Sequence, residues 1–370
     1  MNLAENCWPT PEHLLLLQAG LLDPPKALLA WHQYCEQIDL QKADHLSTTL
    51  FPLVYHNLKT TSAPQLGLCK SVYRHTWSYN QLQFFHFKKL LHALQDAEIQ
   101  TYLLKGAGMI LGYYKDSGLR VMGDIDLLVP RHQAKEALHI CRDLGWAPKE
   151  ATQQLDIYRS HALMLKNKEG HAIDLHWNVL ADNGLDALLA NYIPRKQPLN
   201  APFATAILSP ADQLFHTLFH GLNYSPQPLI RWIPDAAYIL TQTPNLDWPY
   251  FHHLAKQLKL ELPIYTALRY LHHHSFAPIP PTVLSVAERF TPTSQQQRYF
   301  KLLARKPKKL RFILQLYWHS HRRNHRSQNP LILFFTLPRF IKTSRRLSSW
   351  YQLIPFLFRA FLIHMKKSPL

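Results

Sequence analysis

Two aspartates one residue apart, Asp124 and Asp126, lie inside the apolar segment GDIDLLVP at positions 123–130. Ile125, Leu127, Leu128 and Val129, stopped by Pro130, have the short, branched composition of a strand. Strand alternation then places the two carboxylates on one face. Like charges held that close repel, and burying them is unfavourable unless a cation or hydrogen bonds compensate. A divalent ion is one such compensation. Magnesium takes one or two carboxylates and completes its shell with water and substrate phosphates. The plain alternative is structural, since aspartates also close turns and cap helices at strand ends.

A third carboxylate strengthens the metal reading. In GHAIDLHWNV, Asp174 stands between Ile173 and Leu175, so on a strand it points away from them and shares a face with His176. Beside the first strand it would complete a cluster of three carboxylates. Upstream, LLKGAG ends another strand at Lys105 and Gly106, where a glycine lets phosphate approach the backbone N–H groups that open a helix.

The elements that must position these groups follow from periodicity. Residues 1–95 read as helices with short loops, and SYNQLQFFHFKKLLHALQDAEI puts Leu82, Phe85, Leu90, Leu91 and Leu94 near helical spacing. From 96 to 200 the order is strand, helix, strand, helix and a hairpin turning at Lys168–Gly170, which predicts a small mixed sheet with helices packed on it. Residues 201–300 return to helices, the first announced by Ser209 as cap and Pro210 at the first helical position. The expected class is α+β, a small sheet core flanked by N-terminal and C-terminal helical regions.

The chain has 370 residues, 47% of them apolar and 18% charged, which suits a folded protein with large buried surfaces. Its formal charge is +17, and the excess sits at one end. Residues 301–370 carry sixteen Lys or Arg and no acid, leaving the first 300 residues close to neutral. This stretch interleaves cations with Trp, Phe and Leu. Its apolar runs are too short to span a bilayer, but the mixture suits a helix lying on an anionic membrane surface. Nucleic acid is the rival partner for the same cations, and a solvated face closing the core is the plain reading. Four scattered cysteines and an N-terminus without a basic signal region are expected of a cytoplasmic chain, with peripheral membrane contact through the tail.

Taken in order, LLKGAG, GLRVMGDIDLLV and AIDLHW, followed by SPADQLFHTLFHGL and IRWIPDAAYIL, resemble the uncharacterised bacterial nucleotidyltransferase family of the DNA polymerase β-like superfold, over roughly residues 10–280. The resemblance implies transfer of a nucleoside monophosphate from an NTP to an acceptor with release of pyrophosphate, using Mg2+ or Mn2+. It makes Asp124 and Asp126 the metal-binding pair and Asp174 the third carboxylate, with Lys105 and Gly106 on the phosphates. The acceptor is open: a small molecule, peptide or sugar, or RNA as in toxin-type transferases. The superfold's usual Gly-Ser is here Gly106-Ala107, so no serine hydroxyl can bind the triphosphate, which leaves a non-catalytic nucleotide-binding scaffold as a further alternative.

Arg120 either grips phosphate bidentately or forms a salt bridge that neutralises the acidic pair. His176 is expected to orient Asp174 by a hydrogen bond. In the helical half, His216 and His220 are one turn apart but lack the H-E-x-x-H form of a zinc site. Together with Arg231 and Asp235 they either pair with one another between the core and the helical half or line the acceptor side of the cleft.

Overall fold

The computed structural model describes residues 7–148, 161–180, 193–199, 205–223 and 229–304, with residues 314, 317–318, 321–322, 329–344 and 349–352 of the C-terminal stretch. Five helices lead: α1 (Pro11–Leu21), α2 (Pro24–Gln37), α3 (His45–Thr48), α4 (Phe51–Leu58) and the long α5 (Leu66–Asp96). Side-chain caps start two of them. Thr10 accepts the His13 N–H and Asp44 accepts the Ser47 N–H, caps of a kind typically worth about 1 kcal/mol each. Trp31 anchors the group: it is fully buried, stacks on Tyr34, meets Phe51 edge-on, and donates its indole N–H to the Pro64 carbonyl at 2.8 Å.

Helix α5 corrects one expectation. Leu90, Leu91 and Leu94 are buried, but Leu82 is 52% and Phe85 73% exposed. In its first half the buried stripe is instead Thr76, Asn80 and Gln83, continued by Phe87. The partner of that half is the loop 117–123, which presents carbonyl oxygens rather than apolar side chains. Asn80 Nδ2 donates to Ser117 O and Arg120 O, and Gln83 Nε2 donates to Gly123 O. Buried carbonyls need donors, so the helix face that covers them is polar.

The core follows as β1 (Tyr102–Leu103), α6 (Lys105–Met109) running into a π-helical turn at Ile110–Tyr114, β2 (Ile125–Leu128), α7 (Ala134–Asp143), β3 (Ala147–Pro148), β4 (Ala162–Lys166), β5 (Ala172–His176), β6 (Lys196–Pro198) and β7 (Ala206–Leu208). The strands form one mixed sheet in the order β3-β4-β5-β2-β1-β7-β6. β4 and β5 are the expected hairpin, β2 and β5 run parallel, and β1 pairs antiparallel with β2 and parallel with β7. The sheet therefore continues to residue 208, past the expected core limit at 200. Gly108 allows α6 to start tight against β1: a Cβ there would lie 2.5 Å from the Leu103 carbonyl oxygen.

The second helical region comprises α8 (Pro210–Gly221), α9 (Trp232–Gln242), α10 (Trp248–Gln257), α11 (Glu261–His273), α12 (Pro281–Arg289) and α13 (Ser294–Leu303). α8 opens with Ser209 accepting the Asp212 N–H and Pro210 at its first position, as its sequence predicts. One continuous cluster of buried apolar side chains runs from Cys7 to Ala304, so the N-terminal helices, the sheet and the C-terminal helices share a core. In the basic stretch, α14 (Pro330–Ser344) is described. Among the described residues, no helix is long and apolar enough to cross a membrane.

Candidate active site

The register of β2 on β5 sets Asp126 directly beside Asp174. His176 follows two residues later on β5 and so shares their face. Its Nε2 lies 3.0 Å from Asp126 Oδ1 and 3.1 Å from Asp174 Oδ2. Lys105 is the first residue of α6, two positions past the end of β1, where the backbone takes a left-handed conformation (φ 39°) that is rare for a side-chain-bearing residue. That turn brings its ammonium onto Asp126 Oδ1. Asp126 is thus held by two donors on one oxygen, and among the described residues no hydrogen bond reaches its Oδ2. Asp126, Asp174 and His176 form a group of the size that could hold a metal ion, and no other such group occurs among the described residues.

The charges within the cluster differ in kind. Burial alone would raise the Asp126 carboxyl, but the Lys105 charge and the His176 hydrogen bond outweigh it and hold the group far below the usual carboxylate range. Asp174 is likewise raised by burial and lowered further by His176, with a net fall. His176 loses affinity for its proton through burial but gains more from the two carboxylates, so its net shift is upward. Asp124 has the opposite fate. Burial and the adjacent Asp126 charge push it up to about 6, with Lys105 only partly offsetting them.

Asp124 and Asp126 open onto a cleft of about 180 Å³. Lys105 and Gly106 share its sheet side, and His216, His220, Arg231 and Asp235 face them from α8 and α9. A side chain at Gly106 would meet Met122 and Arg120 at 2.9–3.2 Å, so the glycine keeps this wall low. Asp174 does not line the cleft; it joins the site through Asp126 and His176. His216 and His220 have their rings 6.0 Å apart. Burial, reinforced by the Lys105 charge, drops His216 to about 3 and His220 well below its ordinary value, so both are neutral imidazoles.

One expectation for the cationic wall needs correction. Arg120 lines the cleft, but the carboxylate its guanidinium meets is Asp235 and not the Asp124/Asp126 pair. Its Nε and Nη2 bond both oxygens of Asp235 at 3.1 and 2.8 Å, and its Nη1 donates to Val121 O at 3.0 Å. Tyr114 donates to Asp235 Oδ1 at 2.9 Å. Asp235, which lines the cleft, thereby also ties α9 to the loop that leads into β2. The cause is geometric: a buried guanidinium satisfies its fork best with one planar carboxylate. Arg231 is held by Val121 O at 2.8 Å, and the nearby Arg120 charge together with burial lowers it to about 10.

Sequence reasoning missed the polar ladder of α5. Thr76, Tyr79, Asn80 and Gln83 follow i, i+3, i+4, i+7 spacing, a signal that was present but masked by the apolar residues alternating with it. Gln83 also binds His171, at 2.8 Å, ahead of β5, so one glutamine spans the loops before both acidic strands.

An acidic pair at the start of a central strand, a third carboxylate in register on the parallel neighbour and a lysine–glycine turn at the head of a short helix thus come together on an α+β fold. Residues 46–275 match the family model described as uncharacterised nucleotidyltransferase, and the chain belongs to that family. It is accordingly a transferase of phosphorus-containing groups. Among solved structures it is similar to the antibiotic-resistance factor ANT(2'')-Ia, at 18% identity over 53% of this chain and 99% of that one, with a TM-score of 0.36. It is also similar to an antigenic nucleotidyltransferase-like protein from Paracoccidioides brasiliensis, at 13% identity over 57% and 94% of the two chains, with a TM-score of 0.31. Neither likeness is close enough to bear on the site. No curated protein matches the chain.

Proposed function

We propose that the protein transfers a nucleoside monophosphate from an NTP to a hydroxyl acceptor, releasing pyrophosphate, with a divalent cation of the magnesium type. The observation that carries this reading is the in-register Asp126/Asp174 pair with Asp124 above it. The donor set fits such a cation: hard carboxylate oxygens, one of them on an aspartate whose own neighbours disfavour its ionised form. Asp124 and Asp126 would hold it, with Asp174 adjacent. When bound, the cation supplies charge that stabilises the triphosphate and lowers the barrier to attack.

The chain's own residues do the rest. Lys105 and Arg231 place positive charge on the cleft walls, where a triphosphate needs it. The acceptor oxygen bonds to the α-phosphorus as the bond to pyrophosphate breaks, and pyrophosphate leaves with that electron pair. The hydroxyl proton leaves to solvent in the cleft, and Asp174, set back from the cleft, acts through its shared partner His176 to hold Asp126 in place. His176 keeps Asp126 and Asp174 in fixed rotamers, as an orienting partner does. The test is incubation of the purified chain with each α-labelled NTP, MgCl2 or MnCl2, and cell extract. A labelled product that needs the cation supports the reading, and its absence with every NTP refutes it.

A second proposal concerns the basic stretch. α14 exposes Leu331, Phe334 and Phe335 at i, i+3, i+4 spacing, 64–77% of each reaching solvent, and carries Arg339 and Lys342 toward its end. That pattern supports peripheral contact with an anionic membrane surface.

A further inference from the structure

Beside the nucleotide cleft is a second, larger cavity of about 390 Å³, in the size range of small-molecule sites. Its far wall is built by the N-terminal helices, from His45 and Thr49 on one side and His75, Thr76, Tyr79 and Asn80 of α5 on the other. Its near wall is Met122, Gly123, Leu229 and Arg231, which also line the nucleotide cleft. The two spaces therefore meet across the short segment that leads into Asp124.

Three features say what the cavity takes. Asn80 is fully buried and spends its Nδ2 on Ser117 O and Arg120 O, yet its Oδ1 accepts no hydrogen bond. A buried oxygen left unmatched is unfavourable, and a small shift of α5 that opened it to the cavity would let a ligand hydroxyl satisfy it. The rings of His75 and Tyr79 lie nearly parallel, 13° apart with centroids at 6.3 Å, and offer flat apolar faces to a ring-shaped ligand. No carboxylate lines the cavity and Arg231 does, whereas the nucleotide cleft has Asp124, Asp126 and Asp235. A polycationic acceptor would meet a guanidinium in a cavity without a carboxylate of its own, since Asp124 and Asp235, which act on Arg231, lie on the cleft side.

Resting on the nucleotidyl-transfer reading above, we infer that this cavity is the acceptor subsite, and that the acceptor is a ring-bearing hydroxyl compound, neutral or anionic, and not a polyamine. Its hydroxyl enters past Gly123 toward the α-phosphorus, so the acceptor is recognised mainly by the N-terminal helices rather than by α8 and α9.

The test uses the full chain. A small-molecule extract is passed through a cation exchanger at neutral pH, and the flow-through and retained fractions are assayed as acceptors with labelled NTP and MgCl2. Thr76→Trp fills the cavity. His75→Ala, at an exposed position, removes one ring without challenging folding. Acceptor activity should appear in the flow-through; activity confined to the retained fraction overturns the charge assignment. Transfer should drop tenfold or more in Thr76→Trp and several-fold in His75→Ala, with the Kd for each Mg-NTP within twofold of wild type. A weakened Mg-NTP Kd would make the cavity the base site, and unchanged transfer in both variants would make it a bystander; either result overturns the inference. A wild-type chain that forms no labelled product at all fails at the earlier step, and the subsite falls with the nucleotidyl-transfer reading.

Discussion

Two buried ion pairs stand on either side of the same cleft, and they are built for different tasks. Arg120 and Asp235 are 11% and 7% exposed, doubly bonded and further tied by Tyr114, with every contact closing the joint between α9 and the loop before β2. Lys105 and Asp126 are paired by one oxygen only, and the lysine remains 25% exposed to the cleft. It is also the pair with an unusual backbone, since Lys105 reaches Asp126 from a left-handed turn. A pair with all its valences spent is a strut. A pair with an oxygen in hand and an open side can exchange its partner for a ligand, and strained backbone concentrates at such places.

The sharpest way to break this comparison is Asp126→Asn. Transfer should fall to background in the labelled-NTP assay, while circular dichroism remains near wild type and the unfolding midpoint falls only modestly, because Lys105 can turn to solvent and Asp174 still pairs with His176. Arg120→Met should do the reverse. Removing one member of a sealed pair leaves Asp235 buried and unpaired, a change that typically costs about 3–5 kcal/mol, readable in urea unfolding. If the two variants lose stability equally, the strut and the working pair are not distinct.

A smaller effect separates Asp124 from its neighbour. Its folded-state carboxyl is raised from 3.8 to about 6, so the folded protein favours the protonated form. The cation-free protein should lose stability as pH rises from the ordinary value through about 6, then level off. A divalent cation relieves the penalty only where Asp124 is ionised. The rise in unfolding temperature on adding MgCl2 should therefore be larger well above pH 6 than well below it. An equal rise on both sides would remove Asp124 from the cation's ligands.

Much of this arrangement was legible beforehand, and what was not shares a cause. β2, β5, α7 and the start of α8 each announce themselves through local periodicity or capping, and alternation alone puts Asp174 and His176 on one face. The Arg120–Asp235 joint is 115 residues apart in the chain, and nothing local marks which carboxylate an arginine will find. β7 is three residues long and pairs with β1 across a hundred others, too short for a periodic signal. In α5 the polar positions were visible, but reading them as a buried face required knowing that a loop of carbonyls lay opposite. Sequence pattern specifies elements and faces well; it specifies partners only where chain neighbours supply them.

The smallest predicted effect lies in the basic stretch, where the comparison is between a buried and an exposed side of one helix. On α14, Leu333 and Ile341 are buried, and Thr336 accepts or donates a 2.7 Å hydrogen bond with His321, so the helix packs on its own neighbours. The same helix leaves Leu331, Phe334 and Phe335 in solvent. Deleting the region would remove both sides at once, so the informative change is Phe334→Asp with Phe335→Asp, which leaves the packed side alone. If the exposed side rests on anionic lipid, the double variant should lose sedimentation with vesicles containing phosphatidylserine, with Mg-NTP affinity unchanged. Binding by the wild type should weaken with salt, since each cation near such a surface contributes about 1 kcal/mol and is screened beyond about 10 Å at 0.1 M. Salt alone cannot tell lipid from RNA, because both present phosphate, but the phenylalanines can. Their loss should abolish vesicle binding and spare RNA binding if lipid is the partner. Stronger wild-type binding to RNA than to vesicles at matched ionic strength would instead assign the stretch to nucleic acid.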